Sequence, residues 1–166
     1  FRLKKFVAQG LFEKASAVVP AKDILPVLKN FQVEVKSDSL SVVATDMELS
    51  VVCHTELVAV EDPGTVVLPA KKMLEIIRES ADGDIEISVS EGAATISAGG
   101  ARWLLRLPTG EDYPAIPDTS QVTWTEVPRE RFLAAIQAVR GAAARDMNRP
   151  SLMMIDVSNE KMTACD

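Results

Sequence analysis

Apolar side chains at Val7, Leu11, Phe12, Ala15, Val18 and Val19 recur every three or four residues, the period of a helix with one buried stripe. A first helix is expected over roughly 2–22. Pro20 and Pro26 bracket a loop holding Lys22 and Asp23. The period then changes to two: Phe31, Val33 and Val35 alternate with Gln32 and Glu34, as in a half-buried strand. Ser37-Asp38 turns the chain into a strand at Leu40 to Ala44, and strand patterning continues over Glu48 to Thr55 and Glu56 to Val60. Asp62-Pro63-Gly64 is the next turn, and Thr65 to Leu68 is a short β-branched strand. Pro69 stands at a helix start, with Met73, Leu74 and Ile77 as the buried stripe of the segment 70–78. Asp82-Gly83-Asp84 leads into strands at Ile85 to Val89, Ala93 to Ala98 and Arg102 to Leu107. Residues 108–120, rich in Pro, Gly and Asp, form a linker. A strand near Val122 to Val127, a helix from Pro128 to about Ala144, and a strand pair at Ser151 to Val157 and Lys161 to Ala164 complete the pattern.

This order repeats. Leu25-Pro26-Val27-Leu28, Phe31 and Val33, and Ala44-Thr45-Asp46 follow the first helix. Arg149-Pro150-Ser151-Leu152, Ile155 and Val157, and Ala164-Cys165-Asp166 follow the last one. Pro26 and Pro150, Leu28 and Leu152, Phe31 and Ile155, and Val33 and Val157 each lie 124 residues apart. The closing Ala-x-Asp lies 120 apart, so the second hairpin is expected to be four residues shorter. The chain reads as a tandem of two similar α+β domains, 1–118 complete and 119–166 the N-terminal part of a second.

Composition is globular, with 47% hydrophobic and 25% charged residues and a mean hydropathy of +0.10. No apolar run approaches the length, about eighteen residues, of a membrane span. The basic start Phe1-Arg2-Leu3-Lys4-Lys5 has no apolar stretch behind it and is not expected to be a signal peptide. The first residue is Phe rather than Met, so something is expected to have been removed or left out at the start. Two distant cysteines, Cys53 and Cys165, suggest no disulfide framework and suit a reducing compartment. The net charge of −6 argues at first against nucleic acid. Its distribution argues otherwise: the three expected helical segments 2–22, 70–78 and 128–149 hold thirteen Lys and Arg against four Asp and Glu. Basic helices sharing one face would make a positive surface on an acidic protein; ordinary solvated helix surface is the alternative.

In order and spacing the chain resembles the bacterial β sliding clamp family over its whole length. The resemblance is carried in the first domain by Leu25-Pro26-Val27-Leu28-Lys29-Asn30, Ala44-Thr45-Asp46-Met47-Glu48, Pro69-Ala70-Lys71-Lys72, Arg102-Trp103 and Asp112-Tyr113-Pro114. It continues, more weakly, through Val127-Pro128, Phe132, Ile136, Arg149-Pro150-Ser151-Leu152 and Ala164-Cys165-Asp166. It implies DNA-clamp domains with helices on one face of antiparallel sheets, three per protomer, in a head-to-tail homodimeric ring around double-stranded DNA. It also implies a non-catalytic processivity factor, cytoplasmic and nucleoid-associated, whose partners are the replicative polymerase and the clamp loader. Sequence-independent sliding needs contacts to phosphate and none to base edges.

Residue by residue, the resemblance puts Lys22, Lys71, Arg78, Arg140, Arg145 and Arg149 toward DNA, although Lys22 also reads as a solvated loop lysine. Asp146 sits there where a neutral residue is expected. Trp103 falls on the strand at the subunit boundary or is a core tryptophan; Lys72, or Lys71, would serve the same boundary. Leu152 and Cys165 match a pocket for client peptides, of which this chain would hold only part; for Leu152 the alternative is core packing, as for Leu28. No cofactor, metal or membrane partner is implied.

An enzyme reading has little support. Cys53 and His54 are adjacent on an expected strand and so point to opposite faces. Asp46 and Asp166 read as matching turn residues. The competing function is a short clamp-like interaction protein, phage- or plasmid-borne, that binds clamp subunits or clients without encircling DNA.

Overall fold

The computed structural model describes residues 1–21, 25–109, 112–158 and 161–166, and contacts divide it into two compact units, Phe1–Pro117 and Asp118–Asp166. The first unit is built from two β-α-β-β-β halves. The opening half is β1 (Arg2–Lys4), α1 (Lys5–Ala15), β2 (Asn30–Val35), β3 (Leu40–Thr45) and β4 (Ser50–Thr55). The second is β5 (Gly64–Pro69), α2 (Ala70–Glu79), β6 (Asp84–Ser90), β7 (Ala93–Ala98) and β8 (Ala101–Arg106).

Each half lends its first strand to the other. The two four-stranded sheets run β4-β3-β2-β5 and β1-β6-β7-β8, antiparallel throughout, with Leu3 opposite Ile85 and Phe31 opposite Leu68. The exchange corrects the expected start of the first helix. Arg2–Lys4 forms strand, because Leu3 is buried when it faces Ile85, and α1 begins only at Lys5. Residues 56–60 likewise form no strand; a single bridge joins Ala59 to Arg2.

The helices cover the sheets with the expected stripes. Ala8, Leu11, Phe12 and Ala15 are buried on α1. On α2 the buried set is Ala70, Met73, Ile76 and Ile77, so Ile76 takes the place expected of the half-buried Leu74. Phe12 meets Phe31 edge to face, ring centroids 5.3 Å apart, at the centre of a core that draws on both sheets. Gly99 and Gly100, at φ +56° and +84°, form the two-residue link between β7 and β8. Two successive positive φ values suit the right-handed twist of a tight hairpin. A Cβ on Gly99 would stand 2.7 Å from that of Ala81.

The β3–β4 turn is held by side chains. Asp46 Oδ1 accepts from the amides of Leu49 at 2.7 Å and Glu48 at 3.0 Å, and Thr45 Oγ1 accepts from the Met47 amide. The bonds from Leu49 and then Glu48 hold the Asp46 carboxyl below its ordinary pKa. A lowered folded pKa adds stability above the unfolded value, near 3.9, and loses it as pH falls through the folded value. Asp46→Ala should therefore lower the thermal midpoint at pH 7, and its gap from wild type should narrow steadily below about pH 4. A gap constant with pH would contradict the ionic part of this turn.

The second unit repeats the first from α1 through β3. In it α3 (Arg129–Val139) lies 124 residues after α1. The 3-10 turns Arg140–Ala142 and Pro150–Met153 stand at the same offset from Ser16–Val18 and Pro26–Lys29. In its hairpin, β9 (Asp156–Val157) with β10 (Met162–Thr163), Val157 faces Met162 as Val33 faces Val42. The first strand keeps the 124 offset and the second has 120, as the shortened hairpin requires. Three expectations need correction here. The helix stops at Val139, where Arg140–Ala142, including Gly141, tightens into a 3-10 turn. The chain from Pro150 winds as 3-10 rather than extending, which leaves a two-residue pair of strands. Residues 122–127 form no strand, since no described segment offers them a hydrogen-bonding ladder.

Candidate functional site

Charge sorting survives in the structure in reduced form. Of the thirteen expected helix cations, seven lie on α-helices: Lys5, Lys14, Lys71, Lys72, Arg78, Arg129 and Arg131. Arg2 and Lys4 are on β1, Arg140 is in a 3-10 turn, and Arg145 and Arg149 are in the loop before Pro150. Lys22 lies outside the described residues.

Several of these cations are engaged internally. Lys5, largely buried, turns its ammonium onto the carbonyls of Arg78 and Ser80 and caps the end of α2. Lys4 pairs with Asp84 at 2.8 Å across β1 and β6, Arg78 Nε with Glu13 at 3.3 Å, and Lys72 with Glu75 at 2.9 Å. The hydrogen bond from Lys72 and its charge hold Glu75 low and Lys72 high in pKa. Lys14 and Lys71 are exposed and form no ion pair among the described residues.

In the second unit, Asp146 organises the loop between α3 and Pro150. Its Oδ1 accepts from the Asn148 amide and side chain at 3.0 Å, and its Oδ2 lies 3.4 Å from Arg149 Nε. Those bonds, the Asn148 amide first, hold its carboxyl below the ordinary pKa. A hydrogen bond donated by the Ala144 amide to the Leu152 carbonyl, at 2.9 Å, closes the loop. Asp146 thus offsets Arg149 and leaves Arg145 exposed with no ion-pair partner among the described residues.

Leu152 and Cys165 come together. They line one groove of about 400 Å³ with Met154, Ile155, Val157 and Thr163. Leu152 is half-buried and Cys165 exposed.

Trp103 lies on β8, which among the described residues pairs only with β7 and leaves its other edge open. Its ring is half-buried against the core. Leu104, on the opposite face, is 74% exposed between Arg102 and Arg106. Sequence reasoning missed Leu104, although Trp103-Leu104-Leu105 on an edge strand must turn one apolar side chain outward. Lys72 is on α2, in its pair with Glu75.

The Cys53-His54 pair sits on β4. Burial pushes the Cys53 thiol above its ordinary pKa, the reverse of what a thiolate nucleophile needs, and His54 Nδ1 lies 3.2 Å from Ser41 Oγ on the neighbouring strand.

The family described as DNA polymerase III beta subunit, N-terminal domain, matches residues 3–117, the whole two-sheet unit but for its first two residues. The chain belongs to the DNA polymerase III beta subunit family. Among curated members, the beta sliding clamp of Streptomyces coelicolor is 32% identical over 164 residues, covering 98% of this chain and 43% of that protein. The beta sliding clamp of Chlamydia pneumoniae is 30% identical over 141 residues, covering 84% of this chain and 38% of its own length. The chain thus spans about two fifths of these relatives. The crystal structure of the beta subunit from Streptococcus pyogenes shares the fold at a TM-score of 0.89 and 20% identity, over 99% of this chain and 46% of that one. A sliding clamp from Bartonella birtlesii bound to griselimycin has the same TM-score, at 21% identity over 99% of this chain and 46% of that one. Beta-subunit architecture accounts for the tandem α+β units, and no described helix is long and apolar enough to cross a membrane.

Proposed function

We propose that the chain forms part of a DNA sliding clamp, a non-catalytic processivity factor that encircles double-stranded DNA and tethers the replicative polymerase in the bacterial cytoplasm, at the nucleoid. The recurrence of one helix, turn and hairpin pattern, at a 124-residue offset that shortens to 120 in the second hairpin strand, in a beta-subunit chain, carries the reading. A ring is made by repeating such units, and here a first domain through residue 118 would be followed by the opening of a second from 119.

Within that reading, Lys71 and Arg145 are the leading phosphate contacts, because both are exposed and neither is in an ion pair among the described residues. Arg140 and Lys22 join them, while Arg78 and Arg149 contribute less from their pairs with Glu13 and Asp146. The open edge of β8, with Trp103, meets the next subunit head to tail, and Lys72 lies toward that boundary. Leu152 and Cys165 supply one wall of the pocket for polymerase and other client peptides, and the clamp loader is the partner that opens the ring.

Topology gives the test. A full-length protomer carrying this chain, loaded on nicked circular DNA, should stay bound at moderate salt and leave once the circle is linearised. Equal lifetimes on the two forms would sink the reading.

A further inference from the structure

The groove of the second unit carries a charge that its fold does not need. Leu152, Met154, Thr163 and Cys165 line it, and Asp156 is the one charged residue that lines it among the described residues. Met154 is extended, at φ −104° and ψ 159°, so Asp156, two residues on, lies on the same face. Across the strand pair Asp156 stands directly opposite Thr163, and Cys165 follows Thr163 on that face. Asp156 is exposed. Its carboxylate has no ion-pair or hydrogen-bond partner among the described residues. Asp146, by contrast, uses both oxygens on Asn148 and Arg149. At the 124-residue offset the counterpart of Asp156 is the neutral Gln32, so the repeated hairpin forms without a charge at this point.

We propose that Asp156 sets the specificity of this groove: the peptide bound there carries a lysine or arginine two residues along from its apolar anchors, and peptides acidic at that position are rejected. The inference rests on the reading of the groove as the client-peptide pocket. An extended peptide turns residues i, i+2 and i+4 to one face. Apolar side chains at the first two positions fit the wall of Leu152, Met154 and Cys165, and the third position reaches Asp156. An ammonium or guanidinium there gains a counter-charge, while a carboxylate meets a like charge. Because Asp156 is exposed, the attraction is modest and salt-sensitive, and repulsion of acidic peptides widens the discrimination.

The probes are three capped, labelled peptides, Leu-Ser-Leu-Ser-X with X as Lys, Gln or Glu, titrated by fluorescence anisotropy against a full-length protomer carrying this chain. Wild type should bind them in the order Lys, Gln, Glu, each step about two- to fivefold at low salt. The steps should vanish at about 1 M salt, where charges are screened beyond about 3 Å. Asp156→Asn should flatten the order, and Asp156→Lys should reverse it. The same order in all three proteins, or no order in wild type, would overturn the proposal while leaving the pocket in place. Leu152→Arg tests the pocket itself and should weaken all three peptides together. Equal binding with and without that change, or no binding of any peptide to wild type, would remove the pocket reading and this inference with it.

Discussion

Phe12→Ala should lower the stability of the first unit by about 3–5 kcal/mol, the cost of deleting a fully buried phenyl ring whose site cannot collapse. Phe12 is 0% exposed and lies edge to face against the equally buried Phe31, between α1 and the β4-β3-β2-β5 sheet. Collapse would require both α1 and β2 to move, but α1 is anchored at its start by β1, and β2 is paired on both sides, with β3 and β5. With a urea dependence near 1.5 kcal/mol/M, the unfolding midpoint should fall by roughly 2–3 M. Phe6→Ala is the control, because its ring is 72% exposed on the same helix and a surface change typically stays within about 0.5 kcal/mol. Similar midpoint shifts for the two variants would mean that the core is not where the burial places it.

The second large effect concerns DNA. If Lys71 and Arg145 each neutralise one phosphate, replacing both with Ala should make the plot of log affinity against log salt shallower by about 1.8. Near physiological salt the loss is severalfold and uniform across sequences, since phosphate carries no sequence information. Arg149→Ala should change the slope less, because Asp146 already occupies its guanidinium. Asp146→Asn should steepen the slope by freeing it. Measured by fluorescence anisotropy on the full-length clamp between 50 and 200 mM salt, a larger effect from Arg149 than from Arg145 would reverse this ranking.

The α+β class, the repeat and its 124/120 offsets were legible in the sequence, because hydrophobic period and turn residues are local signals. What was not legible came from pairing at a distance. Leu3 fell inside the expected first helix, and only Ile85, far along the chain, makes it a strand residue. The alternation at 122–127 is a strand pattern without a described ladder to join. For the site, residue types gave the cations but not their partners. Glu13 beside Arg78, the Ser80 carbonyl beneath Lys5 and Asp146 beside Arg149 decide which charges remain available, and none of these follows from spacing alone. Leu152 and Cys165 were paired by resemblance, and the structure does bring them to one groove.

The exchange of first strands between the halves of the first unit has a consequence for synthesis. As the chain leaves the ribosome, β1 emerges first, but its partner β6 begins only at Asp84. At 5–20 residues per second, roughly 4–16 seconds pass before that pairing is available. Until then neither sheet is complete, since β2 also waits for β5 on one side. Folding should therefore be postponed and then abrupt, with a nascent chain stalled at Glu79 still sensitive to protease and one that has cleared Arg106 resistant.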